Sequence, residues 1–230
     1  MLNEAELLAF LLSLRVAVVA TAVGLPIAVL LAWALARHDF RGKTVVDVLI
    51  HAPLVLPPVV VGYLLLVTFT PNGMIGRFME NTLGFGFAFT WQGASLAAFV
   101  MALPLMVRSI RLSFEAQDPK LELAARTLGA SGFRTFFRIT LPLALPGLLT
   151  GSLLGFARAL GEFGATITFV ANIPGLTQTL PLALYSAIQA PGGEAAALRL
   201  MVLSLVIAFA ALGFSEYFAR RWKKKLETAT

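Results

Sequence analysis

Residues 16–36 have the sequence VAVVATAVGLPIAVLLAWALA, which contains no charged side chain. A helix of about 20 apolar residues crosses the roughly 30 Å hydrocarbon core of a bilayer. Further runs without Asp, Glu, Lys or Arg lie at residues 48–70, 89–107, 139–157 and, more briefly, 200–215. The pattern predicts an all-helical integral membrane protein with about five transmembrane helices, because helices satisfy their own backbone hydrogen bonds in lipid.

The composition favours the same fold class. Of the 230 residues, 58% are hydrophobic and 13% are charged, whereas a soluble domain is about half apolar and about a quarter charged. The spans leave no room for a separate soluble catalytic domain. A net charge of +6 then indicates basic loops on the cytoplasmic side rather than a nucleic-acid partner. The absence of cysteine excludes disulfides and thiol-based metal or nucleophile chemistry.

The basic residues predict the orientation. Three lie between the first two runs, six between the third and fourth, and five in the C-terminal tail, whereas residues 161–198 contain no lysine or arginine. Cytoplasmic loops are enriched in these residues. We therefore expect the N-terminus outside and the C-terminus inside.

Residues 163–193 form an uncharged segment that interrupts this scheme. A crossing there would place the basic tail outside, and the segment is rich in proline and polar residues. We expect an outer-face or re-entrant segment with a short helix around residues 180–189. Irregular backbone at membrane depth must be buried in protein or line a wet cavity, so this segment is a candidate for lining a pathway.

The loop over residues 116–138 shows a pattern of two short helices. Asp118-Pro119 predicts an N-cap followed by proline at the first helical position, and Gly129 predicts the end of that helix. A second short helix is expected after Ser131-Gly132. This amphipathic element either rests on the membrane surface or docks into a cytoplasmic partner, and the small side chains of Ala124 and its neighbour favour docking.

The same loop resembles the EAA loop of permease subunits of ATP-binding cassette importers. The family pattern is Glu-Ala-Ala, three residues, Gly, nine residues, Ile, one residue and Leu-Pro. Glu122 lies one position before the usual glutamate, and Leu123 occupies that place. The residues that match in register are Ala124, Ala125, Gly129, Ile139, Leu141 and Pro142.

This resemblance implies a type I permease fold in which residues 1–230 form one transmembrane domain and residues 116–138 the cytoplasmic coupling-helix loop. It also implies a permease homodimer, two cytoplasmic ATPase subunits that receive the loop, and a periplasmic or extracellular binding protein. The implied coupling residues are Glu122 together with the six matching positions. The chain has no Gly-rich loop ending in Gly-Lys-Ser/Thr, so we expect no enzymatic activity, metal or cofactor here and assign ATP and Mg²⁺ to the partner ATPase.

Other stretches are most similar to molybdate permeases, which implies molybdate transport across the plasma membrane. In a bacterium with two membranes, this is the cell inner membrane. Sulfate permeases are similar in the loop but less so from residue 163 to 194. Tungstate remains an alternative because it nearly equals molybdate in size and charge, and sulfate remains a second. The stretches that carry the resemblance are residues 51–63, 103–108, 157–169, 172–181 and 189–194.

Four residues are candidates for the pathway. Arg158 and Glu162 lie four apart and face one another on a helix, as either a gate or a structural ion pair. The hydroxyls of Thr166 and Thr168 are candidates for weak contacts with an anion. Since residues 161–198 contain no cation, strong recognition is assigned to the binding protein. His51, one turn from Asp47, is interpreted as a packing or interfacial residue rather than a proton carrier.

Three other functions are less well supported. A secondary transporter usually carries acidic residues within its spans, and the uncharged runs here contain none. A membrane scaffold that docks an ATPase for signalling remains open. An intramembrane enzyme would need a catalytic constellation in or beside the spans, and the sequence shows none.

Overall fold

Helices account for nearly the whole architecture. The computed structural model describes residues 3–71 and 73–227, and that part of the chain contains no strand. The helices are α1 (Glu4–Arg37), α2 (Lys43–Val55), α3 (Pro58–Phe69), α4 (Met74–Leu83), α5 (Trp91–Glu115), α6 (Pro119–Thr127), α7 (Gly132–Thr135), a π-helical turn (Phe136–Thr140), α8 (Leu141–Leu143), α9 (Leu145–Leu160), α10 (Gly164–Val170), α11 (Leu180–Gln189) and α12 (Glu194–Glu227).

Helix α1 begins well before the run that predicts it. The Asn3 side chain accepts a hydrogen bond from the Glu6 backbone at 2.7 Å, and Glu6 accepts one from the Asn3 backbone at 2.8 Å. This capping box satisfies two amide groups that would otherwise lack partners. The helix continues through Pro26 to Arg37 over 34 residues, a length of roughly 51 Å at about 1.5 Å per residue.

Small residues bring α1, α5 and α9 into close contact. Ala28, Ala98 and Ala102 are fully buried in this core. On α9, glycines at every fourth position face α5, and a Cβ at Gly155 would lie 2.6 Å from Met106 Sδ. Transmembrane helices approach closely where their contact surface is made of such residues.

The run at residues 48–70 is bent and does not form one straight helix. Helices α2 and α3 meet at an angle of 116°. Pro57 and Pro58 donate no backbone hydrogen bond, and Leu56 before them adopts the extended conformation that a following proline favours. Two helices of 13 and 12 residues therefore cover the run in place of one continuous helix.

The run at residues 139–157 is also broken. The segment Gly132–Leu143 and α9 are bent by 68°, and the break falls at Ala144. Pro142 and Pro146 lie on either side of it and supply no amide hydrogen for the helical ladder. A helix bend at such prolines is expected, whereas the π-helical turn before it has no clear sequence signal.

Two helices in the described residues, α1 and α5, are long and apolar enough to span a membrane, or four if each bent pair forms one span. The last run lies inside the 34-residue helix α12. The short helix predicted around residues 180–189 is present as α11. The count of five spans and the orientation remain predictions.

Polar contacts show which helix ends lie together. Arg111 Nη1 at the end of α5 lies 3.1 Å from Asp47 Oδ2 near the start of α2. At the opposite end, the Arg15 guanidinium lies 3.6 Å from the Trp91 ring centre, a cation–π contact. We call the first the loop end, because α6 follows α5 there, and the second the far end.

Candidate functional site

Helix α6 forms where the local sequence predicts it. The Asp118 carboxylate accepts a hydrogen bond from the Lys120 amide at 2.9 Å, and Pro119 occupies the first turn. Glu122 in the first turn and Arg126 in the last complement the helix dipole. The predicted N-cap is confirmed.

Gly129 ends this helix in the left-handed conformation, with φ of +84°. The Ala130 amide then donates to the Ala125 carbonyl at 3.0 Å, which closes the helix C-terminus. A Cβ at Gly129 would meet nothing within 4 Å. The backbone conformation, and not a lack of space, is therefore what favours glycine.

The second short helix starts at Gly132, one residue earlier than predicted, with Ser131 as its N-cap. The Ser131 hydroxyl accepts a hydrogen bond from the Arg134 amide at 3.3 Å, and α7 leads directly into the π-helical turn. The Phe133 and Phe137 rings lie 4.6 Å apart between centres. The chain from α6 through α8 thus forms one compact element, which we call the docking loop (residues 118–143).

Glu122 fixes the docking loop to the rest of the protein. Its Oε1 lies 3.1 Å from Arg37 Nε at the end of α1 and accepts a hydrogen bond from the Thr140 hydroxyl at 3.0 Å. Gln117 Nε2 donates to the Thr140 carbonyl at 3.1 Å, and Arg37 Nη2 donates to Gln117 Oε1 at 3.4 Å. The glutamate, displaced by one position from the family pattern, therefore faces inward.

The tip of the docking loop exposes large apolar side chains. Leu128 is 89% exposed, Phe133 76% and Leu123 61%. Ala125 is buried beneath them and Ala124 is exposed, so the two alanines lie on different faces. Exposed apolar groups on a rigid, polar-rimmed element are typical of a protein-binding surface.

The remaining residues of the family pattern connect the docking loop to the core. Ile139 and Leu141 are half-buried, and Leu141 packs against the main hydrophobic core. Pro142 is exposed, next to the break before α9.

The pathway candidates run from the last turn of α9, which contains Arg158, into α10, which contains Thr166 and Thr168. Arg158 Nη1 is 2.6 Å from Glu162 Oε2, and the Glu162 side chain is 1% exposed. Glu162 Oε1 accepts a hydrogen bond from the Ala165 amide at 2.8 Å, so the carboxylate also caps α10. Thr166 is buried, and the half-buried Thr168 donates its hydroxyl to the Gly164 carbonyl at 2.9 Å.

A charged cluster at the loop end was not predicted as a unit. Arg111 joins Asp47 of α2 to Glu115 of its own helix, at 3.1 and 2.7 Å. His51 Nδ1 lies 2.8 Å from the Asp47 carbonyl oxygen, as expected for a residue one turn away. Within the described residues, no group of three or more His, Asp or Glu side chains could hold a metal ion.

Solved structures share this fold. A bacterial ABC transporter that imports the acidic polysaccharide alginate aligns with a TM-score of 0.75 at 17% identity, covering 96% of this chain and 80% of that one. The MetNI methionine ABC transporter in an inward-facing conformation gives 0.68 at 16% identity, covering 94% of each chain.

Sequence relatives extend over nearly the full length. The molybdenum transport system permease protein ModB of Haemophilus influenzae is 55% identical over 96% of each chain. The Escherichia coli K12 protein of the same name is 56% identical over 95% of this chain and 96% of that one. The sulfate transport system permease protein CysT of Salmonella typhimurium is 33% identical over 95% of this chain and 80% of that one.

A family model described as a binding-protein-dependent transport system inner membrane component matches residues 24–224, which include the whole docking loop. This match and the full-length relatives confirm the resemblance noted from residues 122–142. The chain therefore belongs to the family of binding-protein-dependent transport system inner membrane components.

Proposed function

We propose that this chain is the permease subunit of an ATP-binding cassette importer that carries molybdate across the plasma membrane. In a cell with two membranes, this is the inner one. The observation that carries the ATP-driven mechanism is the docking loop. Its capped helices expose Leu128 and Phe133 at the tip, while Glu122 anchors the base to Arg37. Such an element transmits force from whatever binds it.

The partners follow from this geometry and from the relatives. Two permease copies receive force from two cytoplasmic ATPase subunits, each holding one docking loop in a groove. ATP and Mg²⁺ are bound by those ATPases, and the permease supplies no catalytic group. A periplasmic or extracellular molybdate-binding protein delivers the ion, as supported by the alginate transporter solved in complex with its substrate-bound periplasmic protein.

Five spans give the orientation that this mechanism requires. They are α1, the bent pair α2–α3, α5, the bent segment from α7 to α9, and α12, with the N-terminus outside and the C-terminus inside. The docking loop then lies in the cytoplasm, as do most of the basic residues. Residues 163–193, which include α10 and α11, lie at the outer face or re-enter the membrane.

Molybdate is favoured by the full-length relatives that are more than half identical and named for molybdenum transport. Sulfate is the alternative with a named relative, at 33% identity, and tungstate shares the size and charge of molybdate. Because residues 161–198 contain no lysine or arginine, the permease offers a weak path past Arg158, Glu162, Thr166 and Thr168. Selectivity then resides in the binding protein.

Uptake by the reconstituted complex tests this function. The permease is placed in liposomes with its ATPase and binding protein, and molybdate, tungstate and sulfate uptake are compared with and without ATP. We expect ATP-dependent uptake of molybdate well above that of sulfate. Uptake without ATP would indicate a secondary transporter, and no uptake with intact ATPase docking would favour a scaffold.

The docking loop is tested separately with Leu128→Asp. A charge at this exposed position should abolish co-purification of the ATPase without unfolding the helices. The matched control is Leu176→Asp, since Leu176 is also exposed but lies between α10 and α11. Equal ATPase retention in both variants would remove the docking role.

A further inference from the structure

Helix α1 contacts functional segments at both of its ends. At the loop end Arg37 is paired with Glu122 of the docking loop, and both side chains are largely buried, at 13% and 18% exposure. Because Arg37 is so little exposed, it contributes to docking through the position of α6 rather than by touching a partner.

At the far end, Glu6 of α1 is paired with Arg199 of α12. Arg199 Nη2 lies 2.7 Å from Glu6 Oε1 and Arg199 Nε lies 3.1 Å from the same oxygen, in a two-pronged contact. The Glu6 side chain is only 5% exposed. Arg199 is 39% exposed, so the buried member is Glu6, and removing Arg199 leaves that carboxylate without its counter-charge.

A third contact joins α1 to α11. The Leu180 amide, at the start of α11, donates a buried hydrogen bond to the Ser13 hydroxyl at 2.6 Å. Ser13 thus satisfies one of the amides that a helix N-terminus leaves without a partner. The far half of α1 therefore holds the first turn of α11 and the second turn of α12.

We propose that α1 is a strut that carries motion of the docking loop to α11 and α12, with Arg37 and Arg199 as the positioning residues at its two ends. This rests on the proposed function. The covalent route from the docking loop runs through the π-helical turn into α9. The strut adds a second route, which reaches the opposite end through one unbroken helix.

The test measures molybdate ions imported per ATP hydrolysed by the full complex in liposomes with its binding protein. Arg37→Gln and Arg199→Gln should each lower this ratio several-fold while the ATPase stays bound and hydrolyses ATP. Arg37→Lys should restore part of the loss, because it returns the charge. Arg41→Gln and Glu194→Gln serve as controls, since these exposed residues make no ion pair or side-chain hydrogen bond within the described part of the chain.

The double variant Arg37→Gln with Arg199→Gln separates a strut from two independent structural contacts. If the two residues act in series, the double variant lowers the ratio no further than the worse single variant does. If they act independently, the two fold-losses multiply. A multiplied loss, or an unchanged ratio in either single variant, overturns the proposal. If a glutamine variant does not assemble, Arg37→Lys and Arg199→Lys decide by the same ratio, and a wild-type ratio in both overturns the proposal.

The wild-type complex keeps this test distinct from that of the proposed function. If wild type imports no molybdate, the proposed function fails before any variant is compared. If wild type imports molybdate and the glutamine variants keep its ratio, only the strut fails.

Discussion

Arg158 Nη1 lies 2.6 Å from Glu162 Oε2, and the same carboxylate caps α10 through the Ala165 amide. One side chain therefore links the end of α9 to the start of the segment that the sequence marks as irregular. A charge that is 1% exposed stabilises the fold only while its partner is in place.

The gate and structural interpretations of this pair make different predictions. In Glu162→Gln the amide oxygen still caps α10, but Arg158 loses its counter-charge. A structural pair predicts a stability loss of a few kcal/mol, toward the low side of the roughly 3–5 kcal/mol for a buried pair, because Arg158 is partly exposed. Thermal unfolding in detergent measures it. Unchanged unfolding with altered uptake would instead identify a gate.

Gly129→Ala tests the turn in the docking loop. The left-handed conformation costs a residue with a Cβ about 1–2 kcal/mol, and no steric clash adds to it. We expect weaker ATPase binding by up to about thirtyfold, measured by titration of the ATPase onto the permease in nanodiscs. Gly129→Asn should weaken ATPase binding less, because asparagine tolerates this conformation. Equal loss in both would contradict a conformational cause.

Arg111→Ala tests the contact between α2 and α5. Arg111 joins Asp47 to Glu115, and its removal leaves two carboxylates without their cation. We expect a lower unfolding temperature in detergent. Arg108→Ala is the matched control, since Arg108 lies one turn away and makes no ion pair within the described residues. An equal shift in both variants would indicate a general effect of charge at this end of α5.

Gly147→Ala tests the close approach of α9 to α5. The new methyl group would overlap the Ser113 side chain, and overpacking typically costs about 1–3 kcal/mol. Gly213→Ala is the control, because the added Cβ has open space around it. This variant should keep the stability of the wild type. Size-exclusion profiles after a temperature series compare the two. Equal stability would mean that α5 and α9 separate easily.

Reporter fusions test the five spans and the orientation. A fluorescent protein that folds only in the cytoplasm should be bright when fused after residue 230 and dark when fused after residue 193. A phosphatase that is active only outside should give the reverse. Brightness at both sites would require an even number of crossings between them and would overturn the scheme.

The sequence predicted those features that depend on neighbouring residues. The Asp118 cap, the Gly129 turn and the helix at α11 are local, and the structure has all three. The Arg37–Glu122 contact was missed because the partners are distant in the chain and only folding brings them together. Prolines marked the break before α3, but its 116° angle has no local signal. Helix α3 packs against the distant α10, where a Cβ at Gly62 would lie 2.5 Å from the Ala165 carbonyl.

The glycines of α9 restrict how the core can move. Gly151 faces Ile110 and Gly155 faces Met106, so the side chains of α5 occupy notches that recur every four residues. Sliding one helix along the other by less than four residues forces these atoms together. The next matching register is about 6 Å away. Helices α5 and α9, which flank the docking loop, are therefore held in a fixed register. A force on the tip of the loop displaces both as one body.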